Sequence, residues 1–437
     1  MLFYSMQLKS IYQNYLSSTG ISTDTRSLKK GEIFFALHGE KYNGNKFAKK
    51  AILLGAISVI VDDQKIASIS PKVIVVKDTL KTLQELAAFH RTKLQTSIIA
   101  ITGSNGKTTT KELIREVLSQ KYSVLATDNN LNNHIGVPLT LLKLKKHHQL
   151  AIIEMGANHL KEIELLCNIA LPNWGYITNF GKAHLEGFGS IQGVIRGKSE
   201  LYDNLIDRKQ KILINGDDHE QINLTKNYPI TSFGKGGKNN LQILLQENKN
   251  KTLQLNFKEN TFISPLYGTY NSNNIAAAIS FGYLFEVSLE EIKKAINTYQ
   301  STNHRSQQIK INDSLVIMDA YNANPSSMEL ALEAFQTVAT SNSCVILGDM
   351  LELGTMSKKE HEAIIIKCLH NKIQNIHLIG PHFLNTTSLD STITKHNDLS
   401  TFLQFIESSS LKFDKILIKG SRSIKLEGIL PFLKSSL

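Results

Sequence analysis

Three cysteines, Cys167, Cys344 and Cys368, are spread through 437 residues. Their odd number, wide separation and lack of CxxC spacing exclude a disulfide framework and give no zinc signature, so a reducing cytoplasm is the expected compartment. No apolar run is long enough to span a bilayer, and the N-terminal MLFYSMQLKSIYQNYL is broken by Gln, Lys, Ser and Asn before a signal-like core forms. No membrane insertion is expected. Fixed-period repeats and low-complexity tracts are also missing. The net charge of +11 comes without a long basic run or an aromatic-interleaved basic patch, so a polyanionic small ligand is expected and nucleic acid is not. The densest basic cluster, Lys143 to His148, reads as a solvated connection.

The length exceeds the usual size of one core, so two or three domains are expected. From Ser22 to about Thr96, short strands (Ile33 to Ala36, Ser58 to Val61, Val73 to Val76) alternate with helices (Phe47 to Leu54, Thr79 to Lys93), which predicts a small α/β domain. A second series starts at Ile98, with strands near Ser123 to Ala126, Leu150 to Glu154, Gly175 to Thr178 and Lys211 to Ile214. It predicts a mostly parallel sheet with its ligand at the carboxyl ends. Asn240 to Ile263 alternates apolar and polar residues, as antiparallel strands do. After the polar STNHRSQ, Ser301 to Gln307, the chain restarts with LVIMDA, a turn holding Pro325, a helix Ser327 to Thr337, and strands CVILGD, IHLIG and KILIKG. The expected division is 1–95, 96–302 and 303–437.

The most informative stretch is SIIAITGSNGKTTTKELIREVL, Ser97 to Leu118. Ile98 to Ile101 reads as a buried strand, and Thr109 to Leu118 as a helix with Leu113, Val117 and Leu118 on one side. A glycine loop at a helix start presents unpaired N–H groups and the positive end of the helix dipole to an anion. Gly103, Ser104, Asn105, Gly106 and Thr109 would cradle a triphosphate, with Lys107 on the β/γ-phosphates and the Thr108 hydroxyl on Mg²⁺. An ordinary glycine turn is the competing account. The general P-loop has its first glycine five residues before Gly106, where this chain has Ile101.

Other residues carry weaker signals. Glu154 ends the strand LAIIE, a fitting place for a Mg²⁺ ligand, although it could instead cap the next turn. Thr127 to Gly136 holds Asp128, Asn129, Asn130, Asn132 and Asn133, polar groups that are costly to bury unless they bind something polar; a solvated loop is the alternative. Taken alone, His184 is a loop residue and Lys198 a solvated helix lysine. Asn271 and Asn274 precede an alanine-rich helix, Ile275 to Leu284, where amides can read the edge of adenine or cap the helix.

The short TGSNGKTT string resembles the signature of the Mur ligases and their relative folylpolyglutamate synthase. EMGANH, AHLEGFGS, DAYNANP and KGSRS extend the resemblance over nearly the whole chain, with 204–262 least distinctive. It implies an ATP-dependent, ADP-forming amide ligase: a central P-loop parallel-sheet ATPase domain flanked by an N-terminal UDP-binding α/β domain and a C-terminal Rossmann-like α/β domain. It further implies that His184 binds a second Mg²⁺ and that Lys198, in KSE where the family has KGE, is carbamylated to bind it as well. By the same resemblance Asn271 and Asn274 hold the adenine, with Tyr270 where many members have His. Arg305 meets phosphate from the opposite side, Asp319 approaches the ribose, and Asn322 lies in the DxYNANP string.

Asp24, Thr25, Arg26 and the string GEIFFALHGEKYNGNKF resemble the uridine-nucleotide region, with Arg26 able to pair with a diphosphate. Lys107, His184, Lys198, Arg305 and Asn133 would serve the chemistry, with Asn132 and Asn133 also against substrate. GDMLELG and KGSRS resemble the branch that joins D-alanyl-D-alanine to UDP-N-acetylmuramoyl-tripeptide, and the DNPR string of the preceding ligase is absent. ATP and Mg²⁺ are the implied cofactors, and a monomer is expected. A sibling ligase, folylpolyglutamate synthase, or a nucleotide-dependent binding protein without ligase chemistry are the alternatives.

Overall fold

The computed structural model describes residues 5–40, 42–246, 252–301, 304–408 and 412–436. Residues 1–4 of the N-terminal stretch, Lys41 of the glycine-bearing string, 247–251 of the alternating segment, and Thr302 and Asn303 of the polar boundary lie outside them. Three α/β units follow one another along the chain, each built on its own sheet.

The first sheet has four parallel strands in the order Ile21–Ser22, Ile33–Phe35, Ser58–Val61 and Val73–Val75. A helix absent from the sequence expectations, Met6–Ser17, precedes it. Ser5 caps this helix by accepting from the Leu8 amide, and its buried face carries Leu8, Ile11, Tyr12 and Tyr15. The Tyr15 hydroxyl donates to the Leu142 carbonyl at 2.6 Å, which fastens the helix to the central unit.

The central sheet has seven parallel strands in the order Leu241–Gln242, Thr231–Gly234, Lys211–Asn215, Trp174–Ile177, Ser97–Thr102, Leu150–Glu154 and Val124–Ala126. Both faces are covered, so its strands read as continuous apolar runs: Ile98, Ile99, Ala100 and Ile101 are all fully buried. Strands on either side of Ser97–Thr102 arise from opposite directions of winding. The crevice beyond that strand's carboxyl end is therefore the switch point where such sheets bind ligands. Only part of the alternating segment is antiparallel. Leu241–Gln242 extends the parallel sheet, and Leu244–Gln246, Leu253–Phe257 and Asn260–Ser264 form a separate antiparallel sheet.

The third sheet runs Gln307–Ile311, Ser314–Asp319, Lys415–Lys419, Ser343–Gly348, Asn375–Ile379 and Ile393–His396. Gln307–Ile311 is its antiparallel edge, hairpinned onto the strand expected to open the unit, and Ile393–His396 closes the other edge. Polar residues in both edge strands mask the apolar pattern that made the inner strands legible.

Candidate active site

Strand Ser97–Thr102 passes Ile101 while still paired with Tyr176 and Glu154, so the loop proper begins only at Gly103. This explains the missing glycine: at Ile101 the chain is still strand. Gly103 has φ +139°, and a Cβ there would lie 2.0 Å from the Thr178 hydroxyl. Gly106 has φ +79°, with Asn274 Oδ1 2.6 Å from where its Cβ would be, so both turns need glycine.

The helix starts at Lys107, two residues earlier than its apolar spacing indicates, and Gly106 supplies no side-chain cap. The loop is itself gripped from behind. Ser104 N–H donates to the Asn179 carbonyl, Asn105 N–H to Asn179 Oδ1, and the Thr178 hydroxyl to the Asn105 carbonyl. The Ser104 hydroxyl exchanges hydrogen bonds with Gly181. The amides of Ser104 and Asn105 therefore hold the loop's shape. Those at the helix start, Lys107 to Thr109, are left for an anion.

Lys107 folds back, its ammonium donating to the carbonyls of Gly103 at 2.7 Å and Ser104 at 3.3 Å. Burial lowers its pKa, and Arg305 lowers it further against the opposing pull of Glu154. The loop, Thr108, Asn132, Asn133, Glu154, His184, Asn271, Asn274, Arg305, Asp319 and Asn322 line one cavity of about 690 Å³. Two units thus supply its walls.

Glu154 is almost fully buried. Its Oε1 accepts from Asn132 at 2.8 Å, whereas Oε2 has no hydrogen-bond donor and lies 3.7 Å from the Lys111 ammonium. An orphaned buried carboxylate oxygen beside a threonine at a phosphate loop fits a hard divalent cation, and Mg²⁺ takes one or two protein carboxylates alongside phosphates and water. Among the described residues no three His, Cys, Asp or Glu side chains converge as a closed metal cage.

Several expected site residues are placed differently. Lys198 is fully buried one layer behind the cavity wall, its amine donating to the Ala157 carbonyl at 3.0 Å and lying 5.2 Å from the centre of the Phe188 ring. Burial, with Lys107 adding to it, pushes its pKa well down. Asn133 is exposed, and its Oδ1 accepts from the amides of Ile135 and Gly136, which tightens the turn into the helix Gly136–Leu141. Asp319 has both oxygens engaged, with the Lys419 ammonium at 2.6 Å and the Ser306 amide at 3.1 Å, because Asp319 and Lys419 are register neighbours.

Asn271 donates to the Tyr267 carbonyl and accepts from Asn274, which accepts in turn from the Thr110 hydroxyl. These amides tie the alanine-rich helix, Ser272–Leu284, to the helix of the phosphate loop, and Asn271 makes no side-chain cap bond. Arg26 is paired with Asp24 at 2.6 Å, far along the chain from the cavity lining. That contact holds the Asp24 carboxyl down at about 2. Asp24 lines a separate crevice of about 340 Å³ with Ser22, Thr23, Ser27, Leu131 and Lys143, which Arg26 does not reach.

Sequence reasoning missed the contacts that close the cleft. Asn324 donates to Asn105 in the loop, Lys182 N–H donates to the Ser326 hydroxyl at 2.9 Å, and the Lys182 ammonium pairs with the buried Glu360 at 2.9 Å. His184, held at φ +53°, meets the carboxylate of Glu352, whose own pKa is lowered chiefly by that contact. Each pair joins segments more than a hundred residues apart, and no local signal marks it.

A glycine loop at a sheet's switch point, facing an arginine of the following unit across a shared cavity, is the arrangement of a nucleotide-dependent enzyme that closes over its ligand. The chain belongs to the Mur ligase family: the Mur ligase family catalytic domain matches residues 17–91, the middle domain 101–282, and the glutamate ligase domain 304–422. It is 34% identical to the UDP-N-acetylmuramoyl-tripeptide–D-alanyl-D-alanine ligase of Bacillus subtilis, covering 95% of this chain and 93% of that one. With the enzyme of the same name from Escherichia coli it shares 31%, over 95% and 94% of the chains. The crystal structure of MurF from Acinetobacter baumannii superposes with a TM-score of 0.85 at 30% identity, over 99% of each chain.

Proposed function

We propose that this chain joins D-alanyl-D-alanine to UDP-N-acetylmuramoyl-tripeptide at the expense of ATP, a step of peptidoglycan precursor synthesis. Likeness along the whole chain to ligases of that name supports the reading, and one observation carries its chemistry. The phosphate loop and Arg305 face one cavity from two units, each with its own sheet. We assign those units to 1–95, 96–302 and 303–437.

A carboxylate is a poor acyl donor at neutral pH. The tripeptide carboxylate attacks the ATP γ-phosphorus, ADP leaves, and an acyl phosphate forms; the dipeptide amine then attacks that carbonyl, and phosphate leaves as the amide forms. Free amides at the helix start and the Lys107 ammonium, swung off its loop carbonyls, hold the transferring phosphoryl group from one side, and Arg305 holds it from the other. Thr108 and Glu154 are the residues that would hold Mg²⁺, which when bound neutralises phosphate charge. His184 lies at the same cavity, and Lys198 reaches it only through the Ala157 segment. Burial shifts the Lys198 amine towards its uncharged form, the form that attacks carbon dioxide, which favours the carbamate. Docking of the third unit excludes water that would hydrolyse the acyl phosphate. Asn132 positions Glu154, and Asp24, Thr25 and Arg26 remain the assignment for the uridine diphosphate end, reached once the Arg26–Asp24 pair opens.

The test is phosphate release from ATP with UDP-N-acetylmuramoyl-tripeptide, with and without D-alanyl-D-alanine, and mass analysis of the product. Stimulation by the dipeptide and a pentapeptide product are expected. Slow ATP hydrolysis without a peptide product would sink the reading.

A further inference from the structure

Resting on the ligase reading above, we infer that Arg422 receives the terminal carboxylate of the dipeptide acceptor, with Tyr321 as the platform that sets it apart from Arg305. Tyr321 follows the strand Ser314–Asp319 and lines the cavity. Its ring carries the Arg305 guanidinium 3.6 Å and the Arg422 guanidinium 4.9 Å from its centroid. Two cations on one ring repel each other, and a cation–π contact offsets only part of that.

Neither guanidinium has a carboxylate partner within ion-pair distance among the described residues. The acids of the same cavity have other neighbours. Asp319 holds Lys419 and the Ser306 amide, Glu352 meets His184, Glu162 accepts from the Asn158 and His159 amides, and Glu154 accepts from Asn132 through Oε1 while its Oε2 faces Lys111. Two cations without counter-charges therefore face a cavity whose acids have partners, an arrangement that suits anions brought in by substrate.

The two arginines are held differently. Arg305 has a buried Nε with no partner, and its charge acts on Lys107, so it belongs with the phosphates. Arg422 starts a short turn just after Ser421, which is nearly fully buried. The Ser421 amide donates to the Asp349 carbonyl at 3.1 Å, and its hydroxyl accepts from the Leu351 amide at 3.1 Å. The backbone is thus strapped down while the arginine side chain stays exposed at the cavity. With the triphosphate and the carboxylate being activated taken by the loop and Arg305, and the uridine diphosphate assigned to the first unit, the far end of the incoming dipeptide is the anion that arrives together with the attacking amine. A planar guanidinium matches a carboxylate with two parallel hydrogen bonds.

The experiment compares D-alanyl-D-alanine with its C-terminal amide as acceptor, in wild type, Arg422→Gln and Arg422→Lys, with melting temperatures to confirm folding. Wild type should prefer the free acid by about 10- to 100-fold in kcat/KM, the value of a charge-assisted pair. Arg422→Gln should lose that preference through the dipeptide KM, leaving the KM for ATP unchanged, and Arg422→Lys should fall between. An Arg422→Gln enzyme that still prefers the acid, or whose ATP KM rises instead, would overturn the assignment. Wild type inert with both acceptors would instead overturn the ligase reading itself.

Discussion

The side-chain amide of Asn324 donates to the side-chain carbonyl of Asn105 at 2.8 Å, and this one bond links the third unit to the tip of the phosphate loop. Asn324 has a second task. Its Oδ1 accepts from the Ser327 amide and caps the helix Pro325–Gln336. Asn324→Ser keeps a good cap and removes the reach to Asn105. The expected outcome is a melting temperature close to wild type with kcat/KM for ATP lowered by about tenfold, the worth of one or two hydrogen bonds at closure. Equal loss of stability and activity would mean that capping alone matters.

Glu154 offers a separate check through metal removal. Its Oε2 is buried without a hydrogen-bond donor, so Glu154→Gln removes a charge that Lys111 and Lys107 offset only from a distance. The variant should melt no lower than wild type in chelator. Wild type should gain several degrees with ADP when Mg²⁺ is added, because a ligand that binds only the native state stabilises it by mass action. Glu154→Gln should lose most of that gain and need about tenfold more Mg²⁺ for half-maximal turnover. An unchanged Mg²⁺ response would remove Glu154 from the site.

The phosphate loop was legible because its cause is local: a buried strand, two glycines with forced φ, and a helix with no cap, all within Ser97 to Leu118. Glu154 was legible for the same reason, as the last residue of a continuous apolar strand. The sequence does not show the partners that folding supplies to polar side chains. Asp319, expected towards the ribose, gains Lys419 through parallel pairing, and Asn133, expected against substrate, gains two amides as the chain turns. Arg26 has its partner only two residues away. Its guanidinium is taken up by the Asp24 carboxylate.

Lys198 separates a structural lysine from a chemical one. It is fully buried against Phe188 with one carbonyl partner, so replacing it by methionine removes a poorly solvated amine rather than a stabilising ion pair. Lys198→Met should melt at or above the wild-type temperature, while product formation falls by at least about a hundredfold. If the amine works as a carbamate, wild-type turnover should also decline in buffer stripped of carbon dioxide and return with bicarbonate. Normal turnover in Lys198→Met would reduce the lysine to packing.

Acid sensitivity should come from the third unit. His377 and His396 are buried neighbours with ring nitrogens 3.2 Å apart, packed against Phe402 and Phe405. Burial, then the nearby His396, pushes the His377 pKa down to about 4, and burial lowers that of His396 as well. In the unfolded chain both would titrate near 6.5, so between about 4 and 6.5 the unfolded state binds protons that the folded state refuses. Stability is thus full above about pH 6.5 and is lost as the pH falls towards 4. For His377 alone the loss is about 2 kcal/mol by pH 5. Urea unfolding at pH 7.5 and pH 5 should show it, and His377→Leu should shrink the difference between the two midpoints. Neither His377 nor His396 lines the nucleotide cavity, so their protonation should change nucleotide affinity at pH 6 far less than the unfolding midpoint; a parallel fall in both would place the acid-sensitive group at the active site, where His184 lies, instead.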